Sequence, residues 1–208
     1  MRITRKGLER GSVKTINPWV YAIIKAAARI YLAPFFELRV KGQENVPPKS
    51  SFILLPKHQR WEDIPLLGLA SPVPLYYVAK SELFMNRLSN WFMISLGGIP
   101  LDRRRPLASR NSIKAIVSLL QGGAGVVVFP EGTYYKNAMG SGHVGLIRLI
   151  RSRMDLPFIP AGIRYSGRGV RKLVEIKFGE ALFWQSSTEP EAFLASAVQE
   201  IKLLSGLR

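Results

Sequence analysis

The fold of this chain is decided by the apolar stretch Gly125-Val-Val-Val-Phe129, which runs directly into Pro130-Glu-Gly-Thr133. The stretch shows no alternation of apolar and polar residues, so it predicts a central β-strand that is covered on both faces. Pro and Gly then end the strand, and Glu131 brings a carboxylate to its carboxyl end. Because open α/β sheets bind ligands at the carboxyl ends of their strands, this turn is a candidate site; the alternative is a simple strand-to-loop turn.

Outward from this strand, short apolar runs alternate with segments of helical periodicity, which indicates an α/β layered fold. No repeat or linker divides the chain, so we expect a single domain with a mixed, mostly parallel central sheet of about seven strands flanked by helices. The predicted strands are Glu37–Lys41, Ser51–Leu55, Leu75–Ala79, Ile99–Asp102, Gly125–Phe129, Phe158–Tyr165 and Leu173–Gly179. The predicted helices are Ile64–Ala70, Arg87–Leu96, Leu107–Gln121, Gly145–Arg153 and Pro190–Leu204.

The composition excludes several kinds of chemistry. The chain has 208 residues, 47% of them hydrophobic, which fits one globular domain with a real core. It contains no cysteine, so disulfides, thiolate metal sites and a cysteine nucleophile are all absent. With only two histidines and no cysteine we expect no metal site, and we expect no cofactor.

The charge is strongly basic, with 30 Lys and Arg against 14 Asp and Glu. Proteins with such a balance bind nucleic acid, anionic membranes or phosphorylated ligands. The chain shows no recognised nucleic-acid-binding motif, so we expect no nucleic-acid partner. A basic nucleic-acid-binding protein stays as a remote alternative.

The N-terminal segment concentrates this charge, because residues 1–30 contain seven Lys or Arg and a single acidic residue. The apolar segment Pro18–Phe36 follows, and its Lys25 and Arg29 share one helical face. An apolar helix with one basic stripe and with Trp19 and Tyr31 near its ends lies in a membrane interface more readily than it spans the membrane. The alternative is an ordinary amphipathic helix packed on the domain. We assign residues 1–36 to a basic arm with this interfacial helix, and residues 37–208 to the domain.

A histidine and an aspartate with the spacing H-x-x-x-x-D follow the predicted strand Ser51–Leu55. The carboxylate of Asp63 can hold one ring nitrogen of His58, leaving the other nitrogen free to take a proton. The pair is therefore a candidate general base with its orienting partner. The alternative is a solvent-facing histidine beside an aspartate that caps a helix.

A second strand end carries fixed cations in the stretch Gly97-Gly-Ile-Pro-Leu-Asp-Arg-Arg-Arg105. An arginine binds phosphate with two donors in one plane, and neighbouring main-chain N–H groups can help. One of the three arginines is thus a candidate phosphate ligand, whereas the alternative is a solvated basic turn.

Two further segments have weaker signals. Phe158–Ile163 is apolar and includes Pro160, which is typical of an edge or bulged strand, and it could also line a groove for a hydrocarbon chain. Gly140–Gly145 matches G-x-G-x-x-G but follows a polar loop instead of a strand, and no acidic residue stands about 20 positions further on. We therefore expect a flexible loop there, without dinucleotide binding and without a role for His143.

Taken together, four of these segments resemble the glycerolipid acyltransferase family, which is typified by the bacterial 1-acylglycerol-3-phosphate acyltransferases. The matching residues are His58 and Asp63; Gly97, Ile99, Asp102 and Arg103; Phe129 to Thr133; and Ile159 with Pro160. The chain departs from the family after Thr133, where Tyr134-Tyr135-Lys136 replaces the usual Arg-Ser, and at Pro100, where the family favours an aromatic residue.

The resemblance implies an enzyme of phospholipid biosynthesis that moves a fatty acyl group from acyl-CoA or acyl-ACP to 1-acyl-sn-glycerol-3-phosphate (lysophosphatidic acid), giving phosphatidic acid. His58 would be the general base and Asp63 its orienting partner, while Arg103 would hold the acceptor phosphate. The resemblance implies substrate contacts for Gly98, Asp102, Arg103, Glu131, Gly132, Thr133 and Pro160. It also implies a peripheral or monotopic protein at the cytoplasmic face of an anionic cell membrane. Another lysolipid acceptor stays open because of Tyr134 and Tyr135.

Overall fold

The apolar run at 125–129 lies in the middle of the sheet, as its composition predicts. In a computed structural model, which describes residues 15–102, 109–167, 169–185 and 187–207, the run contributes a strand that is hydrogen-bonded on both sides. The strands are β1 (Phe36–Lys41), β2 (Phe52–Pro56), β3 (Leu75–Lys80), β4 (Gly98–Leu101), β5 (Gly125–Val127), β6 (Pro157–Ser166), β7 (Lys172–Phe178) and β8 (Leu182–Phe183). The helices are α1 (Pro18–Leu32), α2 (Asp63–Ala70), α3 (Arg87–Ser95), α4 (Arg110–Gln121), α5 (Gly145–Arg151) and α6 (Pro190–Leu204), with short 3-10 helices at Gln43–Asn45 and Ser81–Phe84.

The strand order is β1-β7-β6-β2-β5-β3-β4, with β8 paired to β6. The five strands from β6 to β4 run parallel, β7 is antiparallel to β6, and β1 is parallel to β7. The predicted mixed, mostly parallel sheet flanked by helices is therefore confirmed. The sequence missed β8, because a strand of two residues is too short to show a period.

Both faces of the central strands are covered by helices, which accounts for their continuous apolar sequence. In β2, Phe52 and Leu54 pack with α1 and α2 on one face, whereas Ile53 and Leu55 pack with α4, α5 and α6 on the other. The core thus consists of two apolar layers separated by the sheet. The parallel strands direct their carboxyl ends toward one edge, where the candidate site residues lie.

Most predicted elements agree with the structure within two residues, but the N-terminal helix is shorter than expected. It starts at Pro18, where the Asn17 side chain accepts hydrogen bonds from the first free N–H groups, and it ends at Leu32. Pro34 cannot continue a helix, so Phe36, which we assigned to the N-terminal segment, begins β1 instead. The start of the helix predicted at Leu107 lies outside the described residues.

One face of α1 packs on the domain and the other is exposed and apolar. Leu32 is buried, and the Lys25 ammonium donates a hydrogen bond to the Ser71 carbonyl at 3.4 Å, so part of the basic stripe faces the protein. The exposed large apolar side chains of the helix are Trp19, Ile23, Ile30 and Tyr31. None of the helices that the structure describes combines the length and the apolar character that a membrane span requires.

Candidate active site

His58 and Asp63 form a buried pair at the carboxyl end of β2. His58 follows the strand, Asp63 is the first residue of α2, and His58 Nδ1 lies 3.1 Å from Asp63 Oδ2. The same oxygen accepts hydrogen bonds from the N–H groups of Gln59 at 2.5 Å and Arg60 at 2.8 Å. The short loop between the two residues therefore wraps around the carboxylate, which explains why the five-residue spacing brings them together.

The imidazole of His58 is held by aromatic rings as well as by Asp63. It stacks on Phe129 with the ring centroids 3.8 Å apart, and the ring of Tyr134 contacts it edge-to-face with the centroids 4.4 Å apart. An ionised Asp63 requires the proton of a neutral ring to be on Nδ1, which leaves Nε2 as the nitrogen that can accept a proton. The site thus has the arrangement of a general base with an orienting carboxylate.

The second oxygen of Asp63 is bound by a residue that sequence reasoning missed. The hydroxyl of Tyr165, near the end of β6, donates to Asp63 Oδ1 at 2.5 Å. Burial, together with the neighbouring Asp63 carboxylate, raises the pKa of the Tyr165 hydroxyl, so it stays protonated as a donor. Tyr165 lies 102 residues away in the chain, and no local pattern connects it with Asp63.

The structure gives Glu131 a surrounding different from the one expected. Its side chain is fully shielded, and Lys57, also fully buried, places Nζ 2.8 Å from Oε1 and 2.7 Å from Oε2. Oε2 also accepts from the His58 N–H at 3.0 Å and Oε1 from the Gly140 N–H at 2.8 Å. We expected Glu131 to position the acceptor; instead its oxygens are engaged by protein donors, because the buried Lys57 ammonium requires a counter-charge.

Lys57 is a second residue that the sequence analysis did not select. Burial lowers the pKa of its ammonium, while the hydrogen bonds and the charge of Glu131 act in the opposite direction. Its Nζ also donates to the carbonyls of His58 at 3.1 Å and Tyr135 at 2.8 Å. The adjacent position in the chain, directly before His58, is the signal that could have found it.

A large apolar cavity of about 730 Å³ reaches the imidazole of His58. It lies between α1, α2, the 3-10 helix Ser81–Phe84 and α3, and its apolar wall includes Ile24, Ala28, Ile64, Leu69, Phe92 and Leu96. The sequence placed a possible hydrocarbon groove at Phe158–Ile163 instead. Phe158 is buried on the other side of the sheet, against Trp184 and Phe193.

Of the remaining predicted site residues, some line the cavity, some do not, and one lies outside the described residues. Gly98, Gly132 and Thr133 line the cavity together with His58. Gly132 has φ 69°, a left-handed conformation that side-chain-bearing residues rarely adopt, so the turn after β5 requires glycine there. Pro160 is buried within β6 and Asp102 follows β4; neither belongs to the cavity wall that the described residues form. Arg103 lies outside the described residues.

Of the glycine-rich segment 140–145, residues 140–144 form part of a loop and Gly145 begins α5. The ring of Tyr135 occupies the space that a Cβ of Gly140 would need, and Leu194 does the same at Gly142. The glycines thus permit close packing around the carboxylate of Glu131. Among the described residues no group of three or more His, Asp and Glu side chains is placed to hold a metal ion. The expectations of no metal and no cofactor stay predictions.

Comparison with known proteins defines the class to which this fold and site belong. The family model described as Acyltransferase matches residues 37–164, a range that contains His58, Asp63 and Glu131. The chain therefore belongs to the acyltransferase family. This finding confirms the resemblance inferred from the four motifs.

Two curated relatives show which acyltransferases this chain is similar to. The chain is 34% identical over 115 residues to a 1-acyl-sn-glycerol-3-phosphate acyltransferase of Bacillus subtilis, covering 55% of this chain and 57% of that protein. It is 33% identical over 106 residues to a lyso-ornithine lipid O-acyltransferase of Pseudomonas aeruginosa, covering 51% of this chain and 39% of that protein. The chain thus spans about half the length of these curated relatives or less.

A solved structure shares the fold. The 1-acyl-sn-glycerophosphate (LPA) acyltransferase PlsC of Thermotoga maritima superposes with a TM-score of 0.74 at 22% identity. The match covers 91% of this chain and 80% of that chain. Nearly all of this chain is thus accounted for by one known architecture.

Proposed function

We propose that this chain transfers a fatty acyl group from an acyl thioester to the free hydroxyl of 1-acyl-sn-glycerol-3-phosphate, giving phosphatidic acid in phospholipid biosynthesis. The observation that carries the proposal is the His58–Asp63 pair, with Nδ1 and Oδ2 3.1 Å apart, at the wall of an apolar cavity of about 730 Å³. A general base beside a cavity for a hydrocarbon chain is what acyl transfer to a lipid hydroxyl requires. The Bacillus subtilis relative, named for this reaction, supports the choice of acceptor.

In the proposed mechanism His58 Nε2 removes the proton of the acceptor hydroxyl as that oxygen attacks the thioester carbonyl. The tetrahedral intermediate then collapses, the carbon–sulfur bond breaks, and the leaving thiolate takes the proton from the imidazolium. Asp63 fixes the ring orientation and stabilises the imidazolium between these two steps. The cycle returns His58 to its neutral form and releases one ester and one thiol.

A thioester donor removes the need for a protein nucleophile, because its acyl group is already activated. The chain contains no cysteine and no G-x-S-x-G sequence, which agrees with direct attack by the acceptor hydroxyl. We assign the donor to acyl-CoA or acyl-ACP, both of which are acidic and suited to a chain with a formal charge of +16.

The two substrates would meet where the cavity reaches His58. The acyl chain of the donor lies in the cavity, whose wall is almost wholly apolar. The acceptor approaches from the side of Gly98, Gly132 and Thr133, and Arg103, which follows β4 and Asp102 directly in the chain, holds its phosphate. The reacting hydroxyl is thereby directed to Nε2.

The protein would act as a peripheral or monotopic protein at an anionic membrane, at the cytoplasmic face where the thioester donors are found. The exposed apolar side chains of α1, Trp19 and Ile23 among them, support this location. Leu83 of the 3-10 helix and Leu88 and Trp91 of α3 are also exposed, as is Met85 between the two helices, and both helices contribute to the cavity wall. A lipid acceptor could then reach the site without crossing water.

A second candidate is the same chemistry on another lysolipid. Its specific support is Tyr134, whose ring centroid lies 4.4 Å from that of the imidazole, at a position where the family usually has arginine. The Pseudomonas aeruginosa relative is named for a lyso-ornithine lipid acceptor. A tyrosine in place of a cation beside the base would suit an acceptor that has no phosphate.

An acceptor panel tests the proposal. Purified protein is incubated with a long-chain acyl-CoA and, in parallel, with lysophosphatidic acid, lysophosphatidylcholine, monoacylglycerol and lyso-ornithine lipid, and the products are identified by mass spectrometry. We expect phosphatidic acid to form with the highest kcat/KM. A preference for monoacylglycerol or lyso-ornithine lipid would replace the first candidate by the second.

A further inference from the structure

A buried ion pair that the mechanism does not use connects His58, after β2, with the loop that follows β5. Lys57 ends in the protein interior, and its Nζ contacts four oxygens: both carboxylate oxygens of Glu131 and the carbonyls of His58 and Tyr135. Neither side chain of the pair has any exposed surface. Neither group can therefore bind a substrate phosphate or hydroxyl directly in this conformation.

The pair fixes the main chain of His58 from two directions. The N–H of His58 donates to Glu131 Oε2 at 3.0 Å, and its carbonyl accepts from Lys57 Nζ at 3.1 Å and from the Tyr135 N–H at 3.0 Å. Both main-chain polar groups of His58 are thus engaged. Asp63 sets the orientation of the ring, whereas the ion pair sets the position of the main chain from which the ring projects.

The same carboxylate also anchors the loop that follows β5. Glu131 Oε1 accepts the Gly140 N–H at 2.8 Å, and Lys57 holds the Tyr135 carbonyl at 2.8 Å. The cavity-lining residues Gly132, Thr133 and Tyr134 lie within the span that these two bonds close. One ion pair therefore connects the main chain of His58 to the loop that lines the cavity beside it.

We propose that Lys57 and Glu131 are positioning residues, and that their buried ion pair holds His58 in a fixed position relative to the loop 132–135. This inference rests on the proposed function for its consequences in turnover. A buried ion pair is weak evidence for stability, because the replacement of both partners by neutral residues is often tolerated. The effect of the pair on the position of His58 can therefore be tested separately from its effect on folding. Small displacements of a catalytic group from its productive geometry reduce turnover by about 100-fold.

The test uses the double variant Lys57→Met/Glu131→Gln, which leaves no buried charge without a partner. The His58 and Gly140 N–H groups bind different oxygens of the Glu131 carboxylate, and the glutamine side chain places an oxygen at only one of the two positions. The matched control is Arg148→Met/Glu191→Gln, the same substitutions at an exposed ion pair with a 3.0 Å contact between α5 and α6. We expect kcat, measured well below the unfolding midpoint of each variant, to fall about 100-fold in the first double variant with an unchanged KM, and no effect on kcat or KM in the control.

A second readout does not depend on the substrate. The chain has only two histidines, so ¹⁵N-histidine labelling in a His143→Gln background gives the ring signals of His58 alone. We expect one fixed tautomer with the proton on Nδ1 in the parent and averaged ring shifts in the double variant. Failure of acyl transfer by the parent protein would contradict the proposed function while leaving this measurement intact.

The outcomes are distinct. Parent-like ring shifts together with parent-like kcat in the double variant would overturn the positioning role. A double variant that fails to fold is replaced by Glu131→Asp, which keeps a counter-charge for Lys57 but shortens the side chain that accepts from the His58 and Gly140 N–H groups. The same comparison of ring shifts and kcat then supports or overturns the proposal.

Discussion

The carboxylate of Asp63 is the best-connected group of the site. Four donors converge on it: the ring of His58, the N–H groups of Gln59 and Arg60, and the hydroxyl of Tyr165. Hydrogen bonds to an ionised group are stronger than neutral ones, so these contacts restrict the position of the carboxylate. Asp63 is thereby held in place beside the ring of His58.

Tyr165 should therefore affect turnover although it does not line the cavity. We expect Tyr165→Phe to lower kcat about 10-fold or more with little change in KM, because a hydrogen bond to a charged group contributes about 1.5–3 kcal/mol. The control is Tyr76→Phe, which removes a hydroxyl that accepts a hydrogen bond from the Ile16 N–H at 3.3 Å. Equal kcat losses in the two variants, measured by steady-state kinetics, would contradict a specific role for Tyr165.

At the scale of elements, α1 has two faces that its sequence alone does not separate. Tyr21, Ile24 and Ala28 wall the cavity, whereas Trp19 and Ile23 face outward. Deleting the N-terminal segment would thus damage the cavity as well as any membrane contact. Substitutions on the outer face are the cleaner test of membrane binding.

We expect Trp19→Gln/Ile23→Gln/Ile30→Gln to weaken binding to phosphatidylglycerol liposomes at least about 100-fold, because each large apolar side chain contributes about 1.5–3 kcal/mol when buried. The measurement is co-sedimentation at fixed ionic strength. Val170→Gln/Leu203→Gln, which changes exposed apolar residues elsewhere, is the control. Unchanged co-sedimentation of the triple variant would show that α1 is not the anchor.

The inner face of α1 should set the acyl preference. Ala28 lines the cavity, so Ala28→Phe fills part of it, and we expect the ratio of kcat/KM for long-chain over medium-chain acyl-CoA to fall about 10-fold or more. Ala27→Phe places the same ring on the exposed side of the helix and should leave the ratio unchanged. An unchanged ratio in Ala28→Phe would assign the acyl chain to another surface.

At the scale of the whole molecule, the fold was largely predictable and the site only in part. Continuous apolar strands and helical periodicity predicted the sheet and the helix α6 at its observed bounds, because burial on two faces leaves a strong local pattern. His58 and Asp63 were predictable because their contact closes within five residues.

The contacts that the sequence could not predict are long-range. Lys57 and Glu131 lie 74 residues apart, and a charged pair in the interior contradicts the usual preference of both residue types for the surface. The cavity could not be located either, because it forms between four elements and no single element carries its pattern. Tertiary packing, not local propensity, determines these features.

The most direct test of the account is the turnover of His58→Ala compared with His143→Ala, with acyl-CoA and lysophosphatidic acid as substrates. His58 is buried beside Asp63, whereas His143 is exposed. The two histidines therefore differ in their surroundings and proposed role but not in residue type. General base catalysis contributes about 100- to 10,000-fold, and we predict that His58→Ala loses kcat within this range while His143→Ala keeps the parent value. A folded His58→Ala variant with parental kcat would contradict the central claim.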